Sequence, residues 1–197
     1  MGKVVVFTNL TLDGVMQAPG SPDEDLRGGF TRGGWAAPYG AMAEAGGGSM
    51  DFGGGLLFGR RTYERFYSFW PQQKGNPFSA ILENMPKYVA SRTLQDPLPW
   101  KNSTLLEGDG AKAVAQLKQT GPNLLIFGSG ELVQSLMRRG VVDEYLLLIH
   151  PLVLGTGRRL FGDGGAPASL RLVDSKTTSK GVVIATYQPA SDGAATA

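Results

Sequence analysis

Residues 123–133 read Asn-Leu-Leu-Ile-Phe-Gly-Ser-Gly-Glu-Leu-Val. The apolar run Asn123–Phe127 predicts a buried β-strand. The residues that follow recur at helical spacing and predict a helix over residues 131–139, with an apolar stripe of Leu132, Val133, Leu136 and Met137. Glycines at such a junction let a phosphate approach the backbone, where free N–H groups and the positive end of the helix dipole face it. Many such turns need glycine for conformation only, so both interpretations stay open.

Two other predicted strand ends carry side chains that suit a phosphate. Residues 58–62 read Phe-Gly-Arg-Arg-Thr, and arginines in a first helical turn oppose the helix dipole unless an anion faces them. A solvated arginine pair is the alternative. Residues 89–93 read Val-Ala-Ser-Arg-Thr, just past a third strand. Because ligands of open α/β sheets collect at the carboxyl ends of strands, three such ends favour a ligand with several phosphates, hence a dinucleotide.

The remaining pattern alternates strands with helices and closes on a hairpin. Strands are predicted over residues 3–9, 55–59, 87–91, 103–107 and 144–150, and helices over residues 39–45, 60–70, 77–84 and 111–119. A hairpin is predicted over residues 170–178 and 181–188. This order predicts an α/β fold with a mostly parallel twisted sheet of about eight strands, a C-terminal antiparallel hairpin and helices on both faces. We predict a single domain over residues 1–189 and a flexible tail over residues 190–197.

Composition excludes several classes of function. The net charge of +2 gives no argument for binding nucleic acid or an anionic membrane. The chain has no cysteine, which excludes disulfides and thiolate metal sites, and its one histidine, His150, excludes a histidine metal cluster. His150 ends an apolar strand before Pro151, which favours a structural role. The N-terminal apolar run is too short for a signal peptide, so we expect a cytoplasmic protein. The cysteine and histidine counts lead us to expect no bound metal.

Taken together, these motifs resemble the dihydrofolate-reductase-like superfamily. The more specific similarity is to the group related to the C-terminal reductase domain of the riboflavin-biosynthesis deaminase-reductase. It spans about residues 3–187 and rests on residues 11–14, 33–39, 57–64, 69–71, 88–93, 127–132 and 142–157. The chain offers no cysteine and histidine ligands for the zinc deaminase domain that usually accompanies such reductases. We therefore expect a stand-alone reductase.

The resemblance implies NADPH as the cofactor. It places the adenosine 2′-phosphate and pyrophosphate on Gly59, Arg60, Arg61, Thr62, Ser91 and Arg92. It places further pyrophosphate contacts on Gly128, Ser129, Gly130, Glu131 and Leu132. The nicotinamide would be bordered by Thr8, Asn9, Val15 and Met16. The arginines agree with a 2′-phosphate and favour NADP over NAD.

The resemblance also implies hydride transfer to a small heterocyclic substrate, similar to a riboflavin-pathway compound or a pterin. The candidate proton donors are Asp13, which has the alternative role of holding its Asp-Gly turn, and Glu44. Trp35 and Tyr39 are expected to line the substrate pocket. A non-catalytic dinucleotide-binding or regulatory protein on the same fold is the alternative function. Long apolar strands, including residues 145–149, would support a homodimer.

Overall fold

A computed structural model describes residues 1–45, 54–162, 165 and 167–190. The strands in these residues are β1 (Val4–Thr11), β2 (Gly54–Gly59), β3 (Lys87–Ala90), β4 (Ser103–Leu106), β5 (Asn123–Phe127), β6 (Glu144–His150), β7 (Leu170–Thr177) and β8 (Val183–Pro189). The α-helices are α1 (Ala41–Glu44), α2 (Arg60–Phe69), α3 (Pro77–Asn84), α4 (Gly110–Thr120) and α5 (Gly130–Met137). Single 3₁₀ turns lie at Arg27–Gly29, Ala37–Tyr39 and Trp70–Gln72.

The eight strands form one sheet in the order β4-β3-β2-β5-β1-β6-β8-β7. The first six in this order pair in parallel, and β8 pairs antiparallel with both β6 and β7. The predicted fold class is confirmed, including the C-terminal hairpin. Parallel pairing brings the carboxyl ends of β1, β2, β3 and β5 to one edge, which is where this kind of sheet binds ligands.

Helices cover the sheet on both faces, as predicted. Side chains alternate along β1, so that Val4 and Val6 pack on the layer that contains α4 and α5, and Phe7 packs on the layer that contains α2 and α3. Both layers are closed cores, since Val4 and Val6 are 0% exposed and Phe7 is 1% exposed. Burying a side chain of this kind contributes about 1.5–3 kcal/mol.

The helices differ in how they begin. Asn76 caps α3 by accepting a hydrogen bond from the backbone N–H of Phe78, and Asp109 caps α4 by accepting from Ala111 and Lys112. Neither α2 nor α5 has a side-chain cap. Both uncapped helices begin at the carboxyl edge of the sheet. A capping side chain would occupy the N–H groups that an anion needs, so its absence leaves these groups available.

The loop over residues 12–40 folds back on the carboxyl edge of the sheet. Gln17 organises it, donating to the carbonyl oxygens of Asp25 and Arg27 and accepting from the backbone N–H of Arg158. The helix predicted over residues 39–45 is interrupted at Gly40, whose φ of 60° ends one turn and starts the short α1.

The predicted domain covers the described residues, but the predicted tail over residues 190–197 lies outside them except for Ala190. Among the described helices, none combines the length and the apolar character needed to cross a membrane.

Candidate active site

A cleft of about 1640 Å³ runs along the carboxyl ends of β1, β2, β3 and β5. Pockets for a single small molecule usually measure about 300–1,000 Å³, so this cleft has room for two ligands. Its polar part consists of Gly59, Arg60, Arg61, Thr62, Ser91, Arg92, Gly128, Ser129, Gly130, Glu131 and Leu132. Its aromatic part consists of Phe66, Phe69, Trp70, Phe78 and Phe127.

The turn after β5 joins the polar part together. Gly128 and Ser129 are both left-handed, with φ of 61° each. The Ser129 hydroxyl accepts a hydrogen bond from the backbone N–H of Gly59 at 2.9 Å and donates one to the Thr62 hydroxyl at 2.8 Å. Because the hydroxyl is turned toward α2, it does not cap α5. The first N–H groups of α5 are therefore left to a ligand.

Gly130 has a second reason to be glycine. A Cβ atom at this position would lie 2.9 Å from the sulfur of Met16. Met16 also lines the cleft, so the first-strand loop and the start of α5 touch at the ligand-binding edge. Glycine here permits the close contact between Met16 and the start of α5.

The β2 and β3 ends supply positive charge to the cleft. Arg60 forms an ion pair with Glu64 at 3.3 Å. Arg61 and Arg92 are exposed, and no carboxylate in the described part of the chain pairs with either. The hydroxyl of Ser91 accepts from the backbone N–H groups of Thr93 and Leu94, so it holds the turn that presents Arg92.

Four further arginines reach the cleft that the sequence motifs did not indicate, namely Arg27, Arg65, Arg158 and Arg159. With them, the described lining contains seven arginines against three carboxylates, Glu24, Asp25 and Glu131. Arg158 and Arg27 both approach the Glu131 carboxylate, at 3.0 and 3.7 Å. Arg65 lies one turn further along α2, whereas Arg27, Arg158 and Arg159 come from segments distant in sequence that no local pattern marks. A chain of net charge +2 thus concentrates its positive charge in one cleft.

The aromatic part forms a continuous wall. The ring of Phe66 lies 5.7 Å from that of Phe127 and 6.2 Å from that of Trp70, and Trp70 meets Phe78 at 4.8 Å. Tilted and edge-on rings of this kind suit a flat, partly apolar heterocycle. The sequence predicted both helices, over residues 60–70 and 77–84, but did not indicate that their aromatic rings would form one wall.

Asp13 does not lie on the cleft. Its carboxylate accepts hydrogen bonds from the Thr11 hydroxyl at 2.6 Å and from the backbone N–H groups of Gly155 and Leu154 at 2.8 and 3.2 Å. The bond from Thr11 is the main reason that the pKa of Asp13 falls to about 2. A carboxylate that is ionised and saturated in this way holds two loops together. The geometry does not support its predicted role as a proton donor.

Glu44 is also placed away from the cleft. It accepts hydrogen bonds from the backbone N–H and the hydroxyl of Ser179, at 3.0 and 2.9 Å, and these bonds lower its pKa. It joins α1 to the β7–β8 hairpin, so its predicted role as a proton donor has no support in this structure either. Among the cleft carboxyls, Glu24 is the one whose pKa burial raises, although the backbone N–H groups of Gly20 and Ser21 partly oppose that shift.

Trp35 and Tyr39 lie behind the cleft wall instead of on it. The Trp35 indole donates to the Gln17 carbonyl at 2.8 Å, and both rings pack edge-on against His150. Their neighbours Ala36, Ala37 and Gly40 line the cleft in their place. Val15 is 0% exposed and likewise supports the wall from behind. The other predicted nicotinamide neighbours, Thr8, Asn9 and Met16, line the cleft. The predicted phosphate-binding residues of the polar part line it as well.

The chain is similar to several known proteins across most of its length. Over 140 residues it is 30% identical to the uncharacterised protein YyaP of Bacillus subtilis (strain 168). The aligned region covers 67% of this chain and 72% of YyaP. A protein from Shewanella sp. PV-4 assigned to riboflavin biosynthesis has the same fold, with a TM-score of 0.66, 22% identity, and coverage of 96% of this chain and 99% of that one.

Dihydrofolate reductase from Enterococcus faecalis, solved with NADP(H), shares the fold at a TM-score of 0.59 and 13% identity, with coverage of 95% of this chain and 96% of that one. The family model described as the RibD C-terminal domain matches residues 2–184. That match covers nearly every described element, and the chain therefore belongs to the RibD C-terminal domain family.

Proposed function

We propose that this protein is an NADPH-dependent reductase that transfers a hydride to a small heterocyclic substrate of the pyrimidine or pterin kind. The observation that carries the proposal is the cleft, in which an arginine-rich polar part adjoins an aromatic wall. The polar part suits a dinucleotide, and the wall suits the ring that receives the hydride. Membership of the RibD C-terminal domain family supports the same reaction.

The residues present fit NADPH. The uncapped start of α5 offers N–H groups to the pyrophosphate, and Ser129 fixes the distance between that turn and Gly59. Arg61 and Arg92 offer guanidiniums without carboxylate partners in the described chain, and Arg60 joins them by leaving Glu64. A 2′-phosphate dianion is the group that three such guanidiniums would hold, which favours NADPH over NADH.

In this mechanism, bound NADPH supplies the hydride. The protein orients the rings, excludes water and supplies a proton. Phe66, Phe127 and Trp70 hold the substrate ring from one side and keep the reaction dry. Glu24 is the cleft carboxyl that we propose as the proton source, because burial raises its pKa above that of a free glutamate.

The test is titration with NADPH and NADH, followed by assays of NADPH oxidation with a pterin (dihydrofolate) and a ribosylated aminopyrimidine (5-amino-6-ribosylaminouracil 5′-phosphate). We expect NADPH to bind at least tenfold more tightly than NADH, since a charge-assisted contact contributes about 1.5–3 kcal/mol. We also expect NADPH to be oxidised only when one of these two substrates is present. Absence of NADPH binding at millimolar concentration would overturn the proposal.

The second candidate is a non-catalytic dinucleotide-binding protein on the same fold. The observation that favours it is the position of Asp13 and Glu44, which are both engaged in structural hydrogen bonds away from the cleft. Tight NADPH binding without oxidation across a broad panel of heterocycles would support this second function over the first.

A further inference from the structure

His150 is a buried titratable side chain that the proposed mechanism does not use. It is 0% exposed at the end of β6, between the rings of Trp35 and Tyr39, with ring centroids 5.2 and 5.0 Å away. Its Nε2 lies 2.9 Å from Oδ1 of Asn9 on the neighbouring strand β1. Its Nδ1 is buried and has no hydrogen-bond partner in the described part of the chain.

These contacts select one tautomer of the imidazole. Burial lowers the pKa of His150 to about 4, so the ring is neutral at pH 7 and carries its proton on one nitrogen. A buried N–H without an acceptor costs more than a buried ring nitrogen that merely lacks a donor, because the N–H loses a strong bond to water. The proton therefore belongs on Nε2, where the Asn9 oxygen accepts it.

This tautomer fixes the orientation of the Asn9 carboxamide. With Oδ1 accepting from the imidazole, the Nδ2 amino group is left without an acceptor among the described residues. Asn9 lines the cleft and is half-buried. The two N–H bonds of the amide are thus the groups that a ligand at the carboxyl end of β1 meets.

The strand alternation decides which ligand meets the amide. Asn9 is two residues from Phe7, so both side chains point to the face of the sheet that carries α2 and α3. The Phe7 ring contacts Phe127 at 5.4 Å, and Phe127 is part of the aromatic wall. Thr8, whose side chain points the other way, lies on the face that carries α5 and the cofactor-binding turn.

We propose that Asn9 is a specificity residue whose carboxamide donates to a carbonyl oxygen or ring nitrogen of the substrate heterocycle, and that His150 is the positioning residue that holds it in that orientation. The proposal rests on the proposed function for the identity of the substrate class. The site then selects rings that present an acceptor at this edge, such as uracil or pterin carbonyls, over rings that present a donor.

The first experiment uses the protein without ligand, so that it stands apart from the reductase activity. Long-range ¹H–¹⁵N NMR of the chain's one histidine reports the tautomer at pH 7. We expect the Nε2–H form. Observation of the Nδ1–H form, or of a rapidly exchanging mixture, would overturn the inference, because the Asn9 amide would then be reversed or free to turn.

The second experiment measures the link between the two residues. Asn9→Leu removes the donors at similar volume and should raise the Kd of 5-amino-6-ribosylaminouracil 5′-phosphate about tenfold, while the Kd of NADPH changes less than twofold. His150→Leu should raise the same Kd about threefold to tenfold, and His150→Gln, which keeps a donor, should restore it. In the Asn9→Leu background, His150→Leu should have no further effect.

Equal changes in the affinities of NADPH and the pyrimidine would assign Asn9 to the cofactor and overturn the proposal. So would a His150→Leu effect that persists without Asn9, because it would reflect loss of structure. Wild-type protein that binds NADPH but not the pyrimidine would remove the pyrimidine class from the inference. Failure to bind NADPH at all would instead count against the proposed function, while the tautomer result would stand.

Discussion

The hydroxyl of Ser129, at the end of β5, accepts a hydrogen bond from the backbone N–H of Gly59, at the end of β2. One side chain thereby sets the spacing between two turns that are 70 residues apart in sequence. The same hydroxyl continues to Thr62 in the first turn of α2. Both turns belong to the polar part of the cleft, so this short chain of hydrogen bonds decides whether they can hold one ligand together.

Replacement of this hydroxyl should weaken cofactor binding more than it weakens the fold. We expect Ser129→Ala to raise the Kd of NADPH about tenfold and to cost about 1 kcal/mol of unfolding free energy, because the half-buried Gly59 N–H loses its acceptor. Calorimetric titration and urea unfolding measure the two effects. Ser103→Ala is a matched control, since the buried Ser103 hydroxyl has no hydrogen-bond partner in the described chain. An equal response of both variants would contradict the role of Ser129.

The arginines of the polar part should discriminate between the two nicotinamide cofactors. We expect Arg60→Ala combined with Arg92→Ala to raise the Kd of NADPH at least 30-fold and that of NADH less than threefold, because only NADPH carries the 2′-phosphate. Fluorescence titration of both cofactors checks this. Arg171→Ala on the exposed hairpin removes an arginine elsewhere and should leave both affinities unchanged. Equal losses for NADPH and NADH would show that these residues do not bind the 2′-phosphate.

Asp13 should matter for stability and not for hydride transfer. We expect Asp13→Asn to cost about 2 kcal/mol at pH 7, since three hydrogen bonds to a charge are weakened. The pKa of Asp13 is lowered to about 2 in the fold, so its stabilisation is present above the unfolded pKa and disappears as the pH falls through 2. Unfolding free energies of both proteins between pH 2 and 6 should therefore converge at the acidic end. A shifted pH profile of kcat in the variant would revive the catalytic role.

His150 should resist protonation far below the pH at which a free histidine titrates. Burial lowers its pKa to about 4, against about 6.5 in the unfolded chain. Between these two values the unfolded chain binds more protons, so the fold should lose stability as the pH falls from about 6.5 to 4. NMR titration of the imidazole Cε1–H checks the pKa, and thermal unfolding of the wild type against His150→Gln checks the stability. A midpoint near 6.5 would contradict the burial.

We propose the edge strand β7 as the contact of the expected homodimer, since β6, which contains residues 145–149, is paired on both sides by β1 and β8. Leu172 and Val173 on this strand are 50% and 45% exposed, and the strand has no neighbour on its outer side in the described chain. Exposed apolar edge strands pair with further strands, and a second copy of this chain offers the same edge. We expect a dimer by light scattering, and a monomer after Val173→Lys. A wild-type monomer at 100 µM (a concentration on the order of typical weak-dimer constants) would contradict this expectation.

The sheet could be predicted from the sequence because most of its parallel strands are short apolar runs. The run Asn123–Phe127 and the strand Glu144–His150 have the predicted bounds, since residues buried on both faces leave a continuous apolar signature. The polar part of the cleft could be predicted for the same reason. Gly59 ends β2, and Ser91 and Gly128 directly follow β3 and β5, so strand position fixes where they lie.

The rest of the site could not be predicted, because loops bring it together. Arg27 and Arg158 are 131 residues apart in sequence, and their guanidiniums both approach Glu131. Asp13 looked catalytic because nothing in its own segment shows that Leu154 and Gly155 supply its hydrogen bonds. Trp35 and Tyr39 looked like pocket residues, but their large rings are more stable packed around His150 behind the wall.

Glu131 places its carboxylate between the guanidiniums of Arg158 and Arg27, beside the first turn of α5. The Glu131 carboxylate would therefore compete with a pyrophosphate for these two guanidiniums. If the proposed dinucleotide binds here, its pyrophosphate would take the place of the Glu131 carboxylate beside these two arginines. At Arg158 and Arg27, inorganic phosphate would have to displace the same carboxylate without the further contacts of a dinucleotide, so the exchange would favour the larger ligand at this end of the cleft.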